Sequence, residues 1–121
     1  INNFKDNGLE KDKLFLTLKN LKKSNQAISF YVEKNKKVNS FFDKNKKELI
    51  LNEAFFNHPY EVLFRSLSDS IKIVGNKYNA VRGKKIDYIL DKIRQNSLKK
   101  ETLGNCIIKK VRQTVIISKE Y

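Results

Sequence analysis

The chain is 121 residues long and carries 26 Lys or Arg against 13 Asp or Glu, a net charge of +13 at pH 7. With 40% hydrophobic and 32% charged residues it is globular in composition, long enough for one domain of modest core with an appended helical segment. No apolar run approaches the roughly 20 residues of a membrane span, no signal-peptide pattern opens the sequence, and a single cysteine, Cys106, cannot form an internal disulfide, which fits a reducing cytoplasm.

Leu14, Leu18, Leu21, Ile28 and Val32 recur at steps of three, four and seven. This spacing predicts a helix from about Glu10 to Asp43, opened by Gly8, with Ser24-Asn25 as a candidate break. Lys19, Lys22, Lys23, Lys34, Lys36 and Lys37 fall between the stripe positions as a solvated face. Residues 44–47 read as a lysine-rich loop, and Glu48–Leu51 as a short strand. Pro59 suits the first position of the next helix, because its missing N–H is not needed there, and His58 then falls at the cap. Tyr60, Leu63, Phe64, Leu67, Ile71 and Val74 form that helix's stripe, and Gly75 closes it. Arg65 lies four residues from both Glu61 and Asp69 and is expected to be taken up in local ion pairs.

A loop from Gly75 to Val81 carries Lys77 and Tyr78. The third helix, about Arg82 to Gln95, buries Ile86, Ile89, Leu90 and Ile93. At about 100° per residue, Lys84, Tyr88, Asp91 and Gln95 fall on its outer face, with Lys85 and Lys92 to one side. An outward tyrosine among lysines can stack on a base, seat a partner or cover neighbouring apolar surface. Leu103–Ile108 and Thr114–Ser118 are runs rich in Ile and Val, separated by a basic turn at 109–113. They read as a β-hairpin whose tip presents Lys109, Lys110 and Arg112. Gly104-Asn105, both tolerant of positive φ, put a turn or bulge ahead of the first strand. The expected class is therefore mainly α with a C-terminal β-hairpin (α+β). A helical linker, residues 1–47, leads to a compact helix–helix–hairpin domain, residues 48–121.

Charge is concentrated at the two ends: +7 over residues 1–47, −2 over 48–76 and +8 over 77–121. Of the basic residues 22 are Lys, alongside 14 Asn, a bias that AT-rich coding produces, but that bias does not account for the scarcity of acids. Localised basic surfaces attract polyanions such as nucleic acid. The candidate contacts are Lys77, Tyr78, Arg82, Lys84, Lys85, Tyr88, Lys92, Lys109, Lys110 and Arg112. One histidine and one cysteine cannot build a zinc site, and the acids are not clustered as metal ligands would be. There is neither a G-x-S-x-G nor a phosphate-cradling glycine loop, so this segment is expected to be non-catalytic, with Cys106 a small core residue. Methionine is missing even at position 1, which suggests a piece of a longer protein.

Three stretches carry a family resemblance: Gly8-Leu9 with Leu14–Ala27, Asn52–Ile93, and Glu101–Tyr121. In order and spacing they resemble the region after the catalytic domain of bacterial tRNA(Ile)-lysidine synthetase. That region has a Pro-led helix, a V-G-G…Y-x-x-R loop, another helix, and a T-L-G-G-C strand pair ending in R-E. The matching positions are Val74-Gly75, Tyr78, Arg82, Thr102-Leu103-Gly104, Cys106 and Lys119-Glu120. Asn76 and Asn105 stand where a second glycine is common, Lys119 replaces the arginine, and Tyr78 to Arg82 is one residue longer than the motif. The resemblance implies a parent enzyme that uses ATP, magnesium and lysine to turn the wobble cytidine of a minor isoleucine tRNA into lysidine. The family's catalytic S-G-G-x-D-S is not in this sequence. The segment then corresponds to the tRNA-holding part, with an upstream catalytic domain of the same chain as its partner and no membrane involved. Two other readings of the residues are a winged-helix DNA-binding module and a basic protein–protein docking domain. The winged helix is opposed by the long 75–81 connection and by Asp87 and Asp91 on the outer helix face.

Overall fold

A computed structural model describes residues 3–76 and 83–120, with side chains from residue 11 onward. It contains three helices, α1 (Asn3–Val38), α2 (Tyr60–Gly75) and α3 (Gly83–Arg94). The strands are β1 (Ser40–Asp43), β2 (Glu48–Leu51), β3 (Lys100–Leu103), β4 (Cys106–Val111) and β5 (Thr114–Lys119). The chain divides into two compact units, residues 1–30 and residues 31–121.

The first unit is the N-terminal part of α1. The helix runs unbroken through Ser24-Asn25, and Gly8 lies inside it rather than at its start. Leu14, Leu18 and Leu21 of the predicted stripe are more than half exposed, and only Val32, in the second unit, is buried.

In the second unit α1 ends five residues before the predicted limit. The hydroxyl of Ser40 donates to the Lys36 carbonyl, and the Asn39 N–H donates to the Asn35 carbonyl at 2.9 Å. The next residues turn extended and become β1, because Ser40–Asp43 pair antiparallel with Glu48–Leu51. The loop at 44–47 is where it was expected. All pairings in the sheet are antiparallel, in the order β1-β2-β5-β4-β3, so the predicted hairpin is part of a five-stranded sheet. Gly104-Asn105, with φ of 59° and 65°, split the run Leu103–Ile108 into two strands through a two-residue turn. Lys109 and Lys110 consequently sit inside β4, and the β4–β5 turn is Arg112-Gln113 alone.

Side chains alternate across the sheet, and one face is covered. Leu51, Cys106, Ile108, Val115 and Ile117 point under the helices and are all but inaccessible. Leu63, Leu67 and Ile71 of α2 and Ile86, Ile89 and Leu90 of α3 complete that core. Tyr60, predicted on the α2 stripe, is instead 45% exposed, its ring 5.9 Å from Phe64. Pro59 is the N-cap of α2 rather than its first residue: its ψ of 153° is extended, and its carbonyl accepts the first helical hydrogen bond from Leu63 at 3.1 Å. At the other end Gly75 is the last helical residue, and Asn76 caps the helix in the left-handed region, φ 58°.

Two of the motifs far apart in sequence meet here. A Cβ on Gly75 would fall inside the Gly104 carbonyl oxygen and 3.1 Å from the Cys106 sulfur. The Cys106 thiol donates to the Ile71 carbonyl of α2 at 3.3 Å. Val74-Gly75 and Leu103-Gly104…Cys106 thus form the seam between the end of α2 and the β3–β4 turn. A polar seam joins α1 to α2. Asn35, 1% exposed, donates from Nδ2 to the Phe55 carbonyl at 3.1 Å and to the Ser66 hydroxyl at 3.2 Å, and its Oδ1 accepts from Asn39 at 2.9 Å.

Candidate nucleic-acid interface

On α3 the buried edge fixes what faces outward. Ile86, Ile89 and Leu90 lie against the core, which leaves Lys84, Lys85, Asp87, Tyr88 and Asp91 exposed. Tyr88 is flanked by lysines at i−3 and i+4: the Lys85 Nζ lies 6.0 Å and the Lys92 Nζ 5.4 Å from the ring centroid. Each cation–π contact contributes about 0.5–1 kcal/mol at such an exposed site. The ring therefore gathers two ammonium groups on one side of the helix. By helical angle Lys84 falls on the other side, towards Asp87 and Asp91. Lys77, Tyr78 and Arg82 lie outside the described residues.

The three cations expected at one hairpin tip are dispersed by the pleat of β4. Lys109 points to the sheet face away from the helices. Its cross-strand neighbours on that face are Ile116 and Lys100, and the row continues through Ile50 to Phe41. Lys110 points to the helix side, where its Nζ donates to the side-chain carbonyl of Asn96 just beyond α3. It lines a cavity of about 210 Å³ together with Arg94, Glu53 and Gln113. Of the three, Arg112 is the one in the turn, at φ 57°.

A second basic surface was not legible as one. The β1–β2 loop overhangs the C-terminal end of α2, and the last residues of β5 close the space between them. The resulting open groove, about 820 Å³, is lined by Phe42, Lys44, Lys46, Lys47, Lys119 and Asn76 among others. The Asp43 carboxylate accepts the backbone N–H groups of Asn45 at 3.0 Å and Lys46 at 3.3 Å, which fixes the loop. By register Asp43 and Glu48 face each other on the opposite side of the sheet from Phe42. The two acids that flank the β1–β2 loop therefore do not neutralise the groove.

The ion pairs found among the described residues lie elsewhere. The Arg65 Nε pairs with Glu61 at 3.1 Å, and the Lys36 Nζ pairs with Glu33 at 2.9 Å and with Asp69 at 3.1 Å. Asp69, expected to serve Arg65, thus holds α1 to α2. Burial opposes the charge of Lys36, and hydrogen bonds to Glu33 and Asp69 outweigh it, so its pKa lies above the ordinary 10.5. None of Lys84, Lys85, Lys92, Lys109, Lys110 or Arg112 takes part in an ion pair. Among the described residues no three His, Cys, Asp or Glu side chains converge as a metal site, and no helix is long and apolar enough to cross a membrane. No protein-family model, curated protein or solved structure matches the chain.

Proposed function

We propose that this chain is the tRNA-holding region of a tRNA(Ile)-lysidine synthetase working in the cytoplasm. The carrying observation is that the six candidate cations Lys84, Lys85, Lys92, Lys109, Lys110 and Arg112, on α3 and the β4–β5 hairpin, have no carboxylate partner, on a chain of net charge +13. Cations left unpaired on a folded surface are free to contact phosphates, and such contacts set the register of a nucleic acid without reading its bases. The order of the three resembling stretches, Leu14–Ala27, Asn52–Ile93 and Glu101–Tyr121, supports the parent enzyme.

In that reaction a cytidine is activated with ATP and then attacked by the amine of lysine. A wobble base must be held within bonding range throughout, and positioning of this kind accounts for a large part of a rate enhancement. ATP and magnesium belong to the upstream S-G-G-x-D-S domain. The residues of this chain bind and orient the minor isoleucine tRNA: Lys85 and Lys92, gathered by Tyr88, with Lys84 also on α3, and, as separate contacts rather than one patch, Lys109 and Lys110 on the two faces of β4 and Arg112 in the β4–β5 turn. A winged-helix DNA reader would have to bring Asp87 and Asp91 against phosphates, which disfavours that reading.

The test is a charge reversal. Lys84→Glu, Lys85→Glu and Lys109→Glu combined are expected to weaken tRNA binding at least tenfold and to flatten its salt dependence by about 2–3 in log–log slope. Unchanged binding would favour the docking-domain reading instead.

A further inference from the structure

The groove between the β1–β2 loop and the end of α2 has four features that converge on one ligand. Lys44, Lys46, Lys47 and Lys119 line it, and none is in an ion pair. Asp43 is turned to the other sheet face and its carboxylate is occupied by backbone N–H groups. Phe42, 47% exposed, stands among the lysines on the edge strand β1. The groove is open and its volume, about 820 Å³, falls in the range of clefts that take a small ligand.

We propose that this groove binds a single-stranded segment of RNA, with the lysines on successive phosphates and a base stacked on Phe42. Lysine-lined tracks with an interleaved aromatic are how proteins hold single strands without reading sequence, because every base has a π-face and every nucleotide a charge. Three separate parts of the chain build the site. The pairing of Glu48 with Ser118 brings Lys47 and Lys119 to the same end of the sheet. Asn76, in the left-handed conformation, ends α2 at the rim and keeps the helix from running into the groove. The choice of RNA over other single-stranded polyanions rests on the tRNA reading above. The site itself is separate from the α3 face and the β4–β5 turn that carry that reading.

The experiment measures binding of fluorescent octauridine to the chain by anisotropy across a salt series, with an eight-base-pair duplex and inorganic polyphosphate as comparisons. Lys46→Glu with Lys47→Glu is expected to lower the log–log salt slope by about 1.4, at ~0.7 per lost contact to a single strand. Phe42→Leu keeps the apolar bulk and removes the ring. It should weaken octauridine roughly 5- to 150-fold while leaving polyphosphate binding as it was. Phe42→Trp should restore it. Circular dichroism of each variant, matching the parent, shows that the fold is kept.

Two results would overturn the proposal: groove substitutions that weaken the duplex as much as they weaken octauridine, or a Phe42→Leu variant that binds octauridine like the parent. The two readings fail separately. Groove variants that leave octauridine untouched while tRNA still binds through α3 sink the groove alone. Octauridine binding that the groove variants abolish, in a chain that binds no tRNA, sinks the tRNA reading alone.

Discussion

Gly75→Ala sets two effects of opposite sign against each other. Gly75 is the last residue of α2 and has no unusual φ, so alanine fits the backbone and would raise helix propensity by up to about 1 kcal/mol, less at a terminus. Against this, the new methyl would overlap the Gly104 carbonyl oxygen and approach the Cys106 sulfur to 3.1 Å. Gly104 cannot yield by rotating a side chain. It is backbone in a two-residue turn whose φ of 59° and Leu103–Cys106 pairing are fixed by the hairpin. Overpacking of this kind costs about 1–3 kcal/mol. The steric term wins, for a net loss of about 1–2 kcal/mol. At a slope of roughly 2 kcal/mol per M, the urea midpoint should fall by about 0.5–1 M. Gly83→Ala is the control. There a Cβ meets only the Phe64 ring tip at 3.4 Å, and the midpoint should stay level or rise. Circular dichroism against urea reads both. A Gly75→Ala midpoint at or above the parent's would refute the close approach of α2 to the β3–β4 turn.

Further expectations concern the seam between α1 and α2. Asn35→Leu leaves the Phe55 carbonyl and the Ser66 hydroxyl without their buried donor, and urea unfolding should show a loss of about 2–4 kcal/mol. A neutral substitution would mean that the seam is not buried. Lys36 has a raised pKa, so its contribution is fully present below the ordinary 10.5 and is lost as pH rises through the higher folded value. Thermal melts above pH 10.5 should therefore fall less steeply for Lys36→Met than for the parent, with parallel behaviour between pH 6 and 9; equal alkaline slopes would count against the Glu33–Lys36–Asp69 arrangement.

The readability of this fold follows the range of its interactions. α2 and α3 were legible because the spacing of Leu63, Leu67 and Ile71, and of Ile86, Ile89 and Leu90, is a local consequence of the helical period. β1 was not, because nothing in Ser40–Asp43 alone departs from the α1 pattern; it is a strand through its pairing with β2. The split of Leu103–Ile108 was half legible. Gly104-Asn105 signalled a turn, but the apolar run masked that strands lie on both sides of it. The same gap hid the groove. Lys47 and Lys119 are adjacent only because β2 pairs with β5, a contact that neither charge counting nor periodicity registers. Lys109 and Lys110 show the converse: neighbours in sequence, they stand on opposite faces of the sheet, so a basic pair in a strand is not a basic patch.

The central claim, that these unpaired cations hold folded tRNA, is tested most directly by anisotropy of a labelled isoleucine tRNA titrated with the chain across a salt series, beside duplex DNA of matched length. Binding to tRNA should weaken with a log–log slope of about −3 to −5, as expected for four to six phosphate contacts, and duplex DNA should bind at least tenfold more weakly. Equal affinity for the duplex, or tRNA binding that ignores salt, would contradict it.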